Sequence, residues 1–371
     1  MKEQNQDKYC NTSYCLFYGI NIALNAIMSI AIISVGFDFF HHNQWAIDRY
    51  LYGFDFSNLY HNGVAFIYMF SGDIRASASF FVFMMRMLYT IIVHYTVVKL
   101  FPDAKPNIVI LIVTITTLGS SLPNIIFSGN FIYDYAFGLN LWHNPTTFTV
   151  MPFVILSFYL LLRIIEKIDI KNIILLTLAN LLSVYGKGSW FPVFSLAVLI
   201  YLFISLVIRK KSLKQVIQIG ICFIPSGLYI IYVSTSTIYS TNIILGITSY
   251  VRLFPVFLNF IFPILVTTFL YKVHKKINIQ LCIAWLISVI SILKAVFLVE
   301  VGREYYGNMT WSVSYALVVL FMVSLIELFK YITTTNKRNI YVDISLTLGF
   351  IHLTMGVYYA FQMYFTGRFL F

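Results

Sequence analysis

The sequence predicts an all-α, polytopic integral membrane protein of about eleven transmembrane helices, and three observations carry that prediction. Of its 371 residues, 60% are hydrophobic and only 11% charged, with a mean hydropathy of +0.83. A soluble domain is roughly 45–50% apolar and about 25% charged, and surface-to-volume scaling gives a soluble fold of this length nowhere to hide so much apolar area. Apolar runs of about 20 residues, the length that crosses a bilayer, recur along the whole chain. The net charge of +11 is dispersed between those runs. It therefore fits the cytoplasmic bias of Lys and Arg in membrane proteins and argues against a nucleic-acid partner.

Candidate spans fall near 15–35, 79–100, 107–127, 146–163, 173–186, 191–208, 216–234, 250–271, 279–297, 312–331 and 341–361. The polar, mixed-charge Met1–Ser13 and the length of the run after it read as a retained first span, not a secretory signal. The fifth span is short, so 173–208 also reads as a hairpin reaching only the outer interface. No internal repeat or long linker appears, and residues 1–371 read as a single domain. Cys10, Cys15, Cys222 and Cys282 form no metal pattern and imply no disulfide framework.

Placing the N-terminus inside puts seventeen of the 25 Lys and Arg residues in inner segments and six in outer ones, with Arg86 and Lys294 inside spans. The short inner loops RKKSLK and YKVHKK carry most weight, because charge bias operates on short loops. Half of the 14 acids lie outside. Inner loops are thus short, basic connectors. Outer loops are longer, aromatic and mixed in charge, so the chemistry belongs on the outer face.

The longest outer loop is the first. Gly36–Gly63 gathers Asp38, Asp48, Asp55, His41, His42, His61 and Arg49. Asp38 follows the first span directly, where a carboxylate serves either as a base toward a hydroxyl, as a metal ligand, or merely as an interfacial acid. His41 and His42 are adjacent, so on a helix they diverge by about 100° and do not chelate one ion. Within 44–60, Trp45, Ile47, Tyr50, Leu51 and Phe54 recur on one face, predicting an amphipathic interfacial helix.

Four further stretches carry polar chemistry. Arg86 lies about seven residues, or about 10 Å, below the outer end of its span. A charge there faces a polar vestibule where it holds a phosphate, snorkels to the headgroups, or forms a structural ion pair. In NLWHNPTTF, Pro145 suits a first helical turn with Asn144 as its N-cap, leaving His143 and Trp142 to offer a hydrogen bond and a stacking face. In YGKGSWF, Gly186 and Gly188 flank Lys187, which reads either as an ordinary tight turn or as a phosphate site. In LVEVGREYYGNMTW, Glu300, Arg303 and Glu304 crowd a short connection beside Asn308 and Trp311. Glu300 and Arg303 stand at an i,i+3 ion-pair spacing, yet a plain turn needs no such cluster. Asn21 and Asn25 read as interhelical hydrogen-bonding groups. Walker, GxGxxG, HExxH and GxSxG patterns are absent.

An acid directly after the first span, a long first outer loop and basic groups near the outer ends of later helices resemble the GT-C class of polytopic glycosyltransferases. FDFFHHNQW is similar to first-loop motifs of some members. WHNPT, YGKGSW and EVGREYYGNMTW are similar to polar motifs of bacterial polysaccharide-cluster membrane proteins. The resemblance implies an enzyme of the bacterial cytoplasmic (inner) membrane that takes sugar from a polyprenyl-phosphate-linked donor and passes it to a glycan acceptor. It implies Asp38 as the base and Arg86, Lys187 and Arg303 as the groups that hold the leaving phosphate; the polar stretches add Glu300 as a second catalytic candidate and His41, His143, Asn144 and Asn308 as candidates for substrate or phosphate binding. No Asp-x-Asp motif occurs, which leaves a divalent metal (Mg²⁺ or Mn²⁺) open. A second reading is an O-antigen or capsule repeat-unit polymerase or ligase using polyprenyl-diphosphate-linked oligosaccharide, although such proteins usually carry their large outer loop later. A third is a lipid-linked-sugar flippase or transporter, which predicts a charged path through the membrane. Here polar groups crowd the outer ends instead.

Overall fold

A computed structural model describes residues 2–35, 37–55, 58–120, 144–236, 243–247, 253–301, 309–335 and 339–366. These form helices α1 (Lys2–Val35), α2 (Phe37–Tyr52), α3 (Leu59–Ser71), α4 (Ile74–Leu100), α5 (Pro106–Leu118), α6 (Pro145–Glu166), α7 (Ile170–Gly186), α8 (Trp190–Val207), α9 (Leu213–Ile221), α10 (Ile224–Ser236), α11 (Leu253–His274), α12 (Ile279–Phe297), α13 (Trp311–Thr335) and α14 (Ile340–Thr366). Strand β1 (Ile243–Leu245) pairs antiparallel with β2 (Leu298–Glu300), Ile243 opposite Glu300. Among the described residues eight helices are long and apolar enough to cross a membrane, or nine if α9 and α10 form one bent span. The protein is an all-α, multi-pass membrane protein.

The helices end where local chemistry ends them. Asn58, Asp73, Asp169 and Asn278 each accept a backbone N–H at the start of α3, α4, α7 and α12. Gly72 closes α3 in the left-handed conformation, φ 64°. Between α9 and α10 the chain bends by 42°. Pro225 supplies no N–H there, and its ring opposes the carbonyl of Ile221, four residues back.

The segment after α1 differs from the single interfacial helix expected over 44–60. It holds two helices, α2 and α3, broken at Gly53 (φ 107°) and restarted by Asn58. The third expected span, 107–127, remains helical only to Leu118, and residues 121–127 lie outside the described part. At this break the Ser120 N–H donates to the His352 carbonyl (3.0 Å), and Ser120 O lies 2.7 Å from His352 Nδ1. A non-helical backbone inside a membrane protein needs such internal partners. α14 approaches so closely that a Cβ at Gly356 would stand 1.7 Å from Leu118 O.

The core is built around α13, 94% buried along its apolar window, and α6, 83% buried. Both begin at the same end of the molecule, the end reached by the α7–α8 turn and the β1–β2 ladder. At the opposite end, Lys211 Nζ donates to Ile165 O (2.8 Å) and Lys272 Nζ to Tyr341 Oη (3.3 Å).

Candidate functional site: a charged layer at the start of α6 and α13

Asn144 is the hub. As the N-cap of α6, its Oδ1 accepts from Thr147 N (3.3 Å), Thr146 Oγ1 (2.5 Å) and Thr147 Oγ1 (3.4 Å). Lys187 Nζ donates to the same oxygen at 3.3 Å. With Oδ1 so occupied, the amide orientation is fixed, and Nδ2 faces outward to donate to Asp38 Oδ2 at 3.3 Å. One side chain thus joins the start of α2, the start of α6 and the α7–α8 turn.

Lys187 is the cation of this layer. Its ammonium lies 3.5 Å from the centre of the Trp311 ring, at the first residue of α13. Burial pushes its pKa down to about 7, with Asp38 pulling it up and Lys294 pressing it down. Lys294, in the last turn of α12, points Nζ at Ser189 O (3.5 Å), and the charge of Glu300 acts on it. Glu300 is 8% exposed and stands at the end of β2. The layer therefore combines two lysines, two carboxylates and the N-terminal ends of the two most buried helices. Those helix ends carry partial positive charge and favour an anion.

The turn that carries Lys187 is itself tied down. Gly186 O accepts from Asn58 Nδ2 (3.3 Å), and Asn62 Nδ2 donates to Tyr185 Oη, so α3 is bonded to the residues just before the lysine. Gly186 packs on α6 closely enough that a Cβ would meet Val150 Cγ2 at 2.7 Å. Behind Asp38, α2 and α3 are joined by His42 Nδ1 and His61 Nε2, 2.8 Å apart with stacked rings. Trp45 meets both rings edge-on, and Tyr60 Oη donates to Asn43 Oδ1 (2.9 Å). Burial lowers the pKa of His42 to about 2 and of His61 to about 3; Lys187 adds to the first effect and Arg49 to the second, while Asp55 opposes it.

Of the nine residues singled out from sequence, Asp38, Asn144, Lys187 and Glu300 come together here. His41 is exposed, its ring beside Phe40 and Trp45. Arg86 lies one turn of α6 deeper, 2% exposed, donating from Nε to Asn25 Oδ1 (2.6 Å), with its guanidinium 5.4 Å from the Phe148 ring centre. Asn25 therefore does join α1 to α4, whereas Asn21, among the described residues, bonds within α1, to Phe17 O. His143, Arg303 and Asn308 lie outside the described residues.

Two features escaped the sequence reading. Lys294 was visible only as a lysine near a span end; its link to Ser189 depends on how α12 packs beside α8. His61 was visible as part of a rich loop, but its pairing with His42 needs the fold-back at Gly53. Asp38 and Glu300 each face a lysine in place of a second acid, and no three His, Cys, Asp or Glu side chains converge among the described residues. That donor set fits an anionic ligand better than a divalent cation; Asp134 and Glu304 fall outside the described residues. No protein-family model matches this chain and no curated protein matches it in sequence, so function rests on the geometry of the site.

Proposed function

We propose that the protein is a bacterial inner-membrane glycosyltransferase that moves a sugar from a polyprenyl-phosphate-linked donor to an acceptor glycan on the outer face. The observation that carries this reading is the layer of Asp38, Asn144 and Lys187 above the N-terminal ends of α6 and α13. A base and an anion-binding set stand side by side there, held by one amide. Asp38 takes the proton of an acceptor hydroxyl as that oxygen bonds to the anomeric carbon. The bond from that carbon to the phosphate oxygen breaks, and its electron pair leaves with the polyprenyl phosphate. Lys187, Lys294 and the two helix ends stabilise the charge that grows on the leaving phosphate, and Glu300 holds Lys294. Arg86, buried under Phe148, adds positive potential from below.

In this reading the chain crosses the membrane eleven times with its N-terminus inside, counting the eight long helices, the α9–α10 pair, α5 and α7. The charge bias supports that orientation. So do the contacts at the two ends: lysines bond at the Ile165 and Tyr341 end, and the mixed-charge layer forms at the other.

Right-side-out vesicles loaded with polyprenyl-phosphate-linked sugars and given a membrane-impermeant acceptor glycan test the proposal. Addition of one sugar residue per acceptor is expected. A ladder of repeats from a diphosphate-linked oligosaccharide would assign the polymerase reading instead, and no addition with any donor would remove the enzyme reading.

A further inference from the structure

The end of the molecule opposite the charged layer carries two unusual helix ends. Among the described residues two non-glycine residues hold a positive φ, Arg209 and Lys275, both at 56°. Arg209 lies just past the cap of α8 and Lys275 just past α11, where its N–H closes the helix on Tyr271 O (2.8 Å). Glycine is the usual residue in this left-handed position, because a Cβ there is strained. Both positions hold an exposed cation instead, each followed at once by another, Lys210 and Lys276. A cation beside a helix C-terminus meets its partial negative charge favourably, but Lys210 and Lys276 already supply one. The charge at the strained position is therefore surplus to what the helix end needs.

The two turns flank one helix pair. α8 packs on α12, and Lys294 in the last turn of α12 reaches Ser189 O at the start of α8, so the two helices run antiparallel. They have 18 and 19 residues, so the end of α8 and the start of α12 fall at one level. Lys275 and Lys276 stand just before the Asn278 cap of α12. Packed helix axes lie about 8–10 Å apart, a gap that Arg and Lys side chains span. Lys211 and Lys272 are bonded within the protein, to Ile165 O and Tyr341 Oη, whereas Arg209, Lys210, Lys275 and Lys276 are exposed. Along the same helices Phe203, Val207, Ile279 and Val289 are exposed and apolar. The basic turns thus cap a lipid-facing surface.

We propose that these turns bind the headgroup of an anionic phospholipid with two phosphates, of the cardiolipin type. One phosphate sits at Arg209 and Lys210 and the other at Lys275 and Lys276, with the acyl chains along the exposed faces of α8 and α12. Charge complementarity selects this occupant. Cations grouped between membrane-spanning helices at one headgroup level attract anionic lipid, and the forked guanidinium of Arg209 suits a phosphate. A zwitterionic headgroup would bring an ammonium into the same cluster, and an acidic protein would leave the apolar faces unused. The bound lipid clamps α8 to α12, whose other ends meet at Ser189 and Lys294.

The test is thermal stabilisation of purified full-length protein in neutral detergent, with cardiolipin, phosphatidylglycerol, phosphatidylethanolamine and inorganic phosphate as probes. Cardiolipin is expected to raise the melting temperature at a concentration tenfold or more below that needed with phosphatidylglycerol, while phosphatidylethanolamine and inorganic phosphate give no such shift. Arg209→Gly combined with Lys275→Gly melts no lower than wild type without lipid, because glycine relieves the backbone strain, yet it loses most of the cardiolipin shift. Arg209→Gln combined with Lys275→Gln, which removes charge alone, loses the shift equally and serves should the glycine pair fold poorly. Lys99→Gln combined with Lys105→Gln, which removes two charges from the α4–α5 turn at the same end, keeps it. No shift with any lipid, an equal shift with phosphatidylethanolamine or inorganic phosphate, or a full shift in both Arg209 and Lys275 pairs would overturn the site. Phosphatidylglycerol matching cardiolipin at equal phosphate would overturn the two-phosphate headgroup.

Discussion

Lys187 is the residue whose chemistry responds most directly to conditions. Its ammonium is pressed down to about 7 by burial, so the charged fraction falls as pH rises through neutrality. Asp38 favours the charged form; Lys294, from α12, opposes it. His42 of α2 also feels this charge and is neutral above pH 3. Donor binding through Lys187 should therefore weaken between pH 7 and 9. Lys187→Arg, charged at any accessible pH, should flatten that alkaline limb in a binding or transfer profile, whereas Lys187→Met should weaken binding at least tenfold at pH 6 and converge on wild type by pH 9. The role of Asn144 was partly legible before any fold was known. Asn-Pro ahead of an apolar run announces an N-cap, and a cap's side chain must point back at the start of its helix. What sequence could not say was that the free side of the amide meets Asp38, 106 positions earlier, because nothing local fixes how α2 lies across α6.

At the scale of elements, the α2–α3 pair is a strap that holds Asp38 against α6 and is anchored to the Lys187 turn through Asn58 and Asn62. Its clasp is His42 with His61. Both rings are neutral when folded, with pKa values below the ordinary 6.5, so the unfolded strap binds more protons between about pH 3 and 6.5. The stability that the clasp contributes is full above pH 6.5 and is lost as pH falls through that window. For His61, facing Arg49 and Asp55, the loss at pH 5 is about 2 kcal/mol. Wild type should accordingly melt several degrees lower at pH 5 than at pH 7.5, and His61→Phe should show a smaller difference. An unchanged difference would mean that the clasp does not hold the strap. The composition of this loop was read correctly as dense in titratable groups, but its division into two helices was not. Periodicity alone carried one amphipathic pattern across Gly53, where a positive φ breaks it, and gave too little weight to Asn58 as a fresh cap.

For the whole molecule, the spans were the most legible feature, because lipid imposes a simple length and composition on each crossing. The departures mark places where packing overrides that rule. α5 stops at Leu118 because Ser120 finds backbone and imidazole partners on α14, and α9–α10 bends at Pro225. The convergence of the segments that carry Asp38, Asn144 and Lys187 follows from the fold's arrangement around α13 and α6. Once these two helices start at the same end, the residues that begin them, Asn144 and Trp311, share one space with the turn between α7 and α8. The central claim is that this shared space is a transfer site with Asp38 as its base. General base catalysis of this kind is worth about 10²–10⁴ in rate. The most direct test is single-sugar transfer by purified Asp38→Asn, compared with wild type at matched melting temperature. The account predicts a loss of at least 100-fold in transfer with donor binding retained; transfer at the wild-type rate would contradict it.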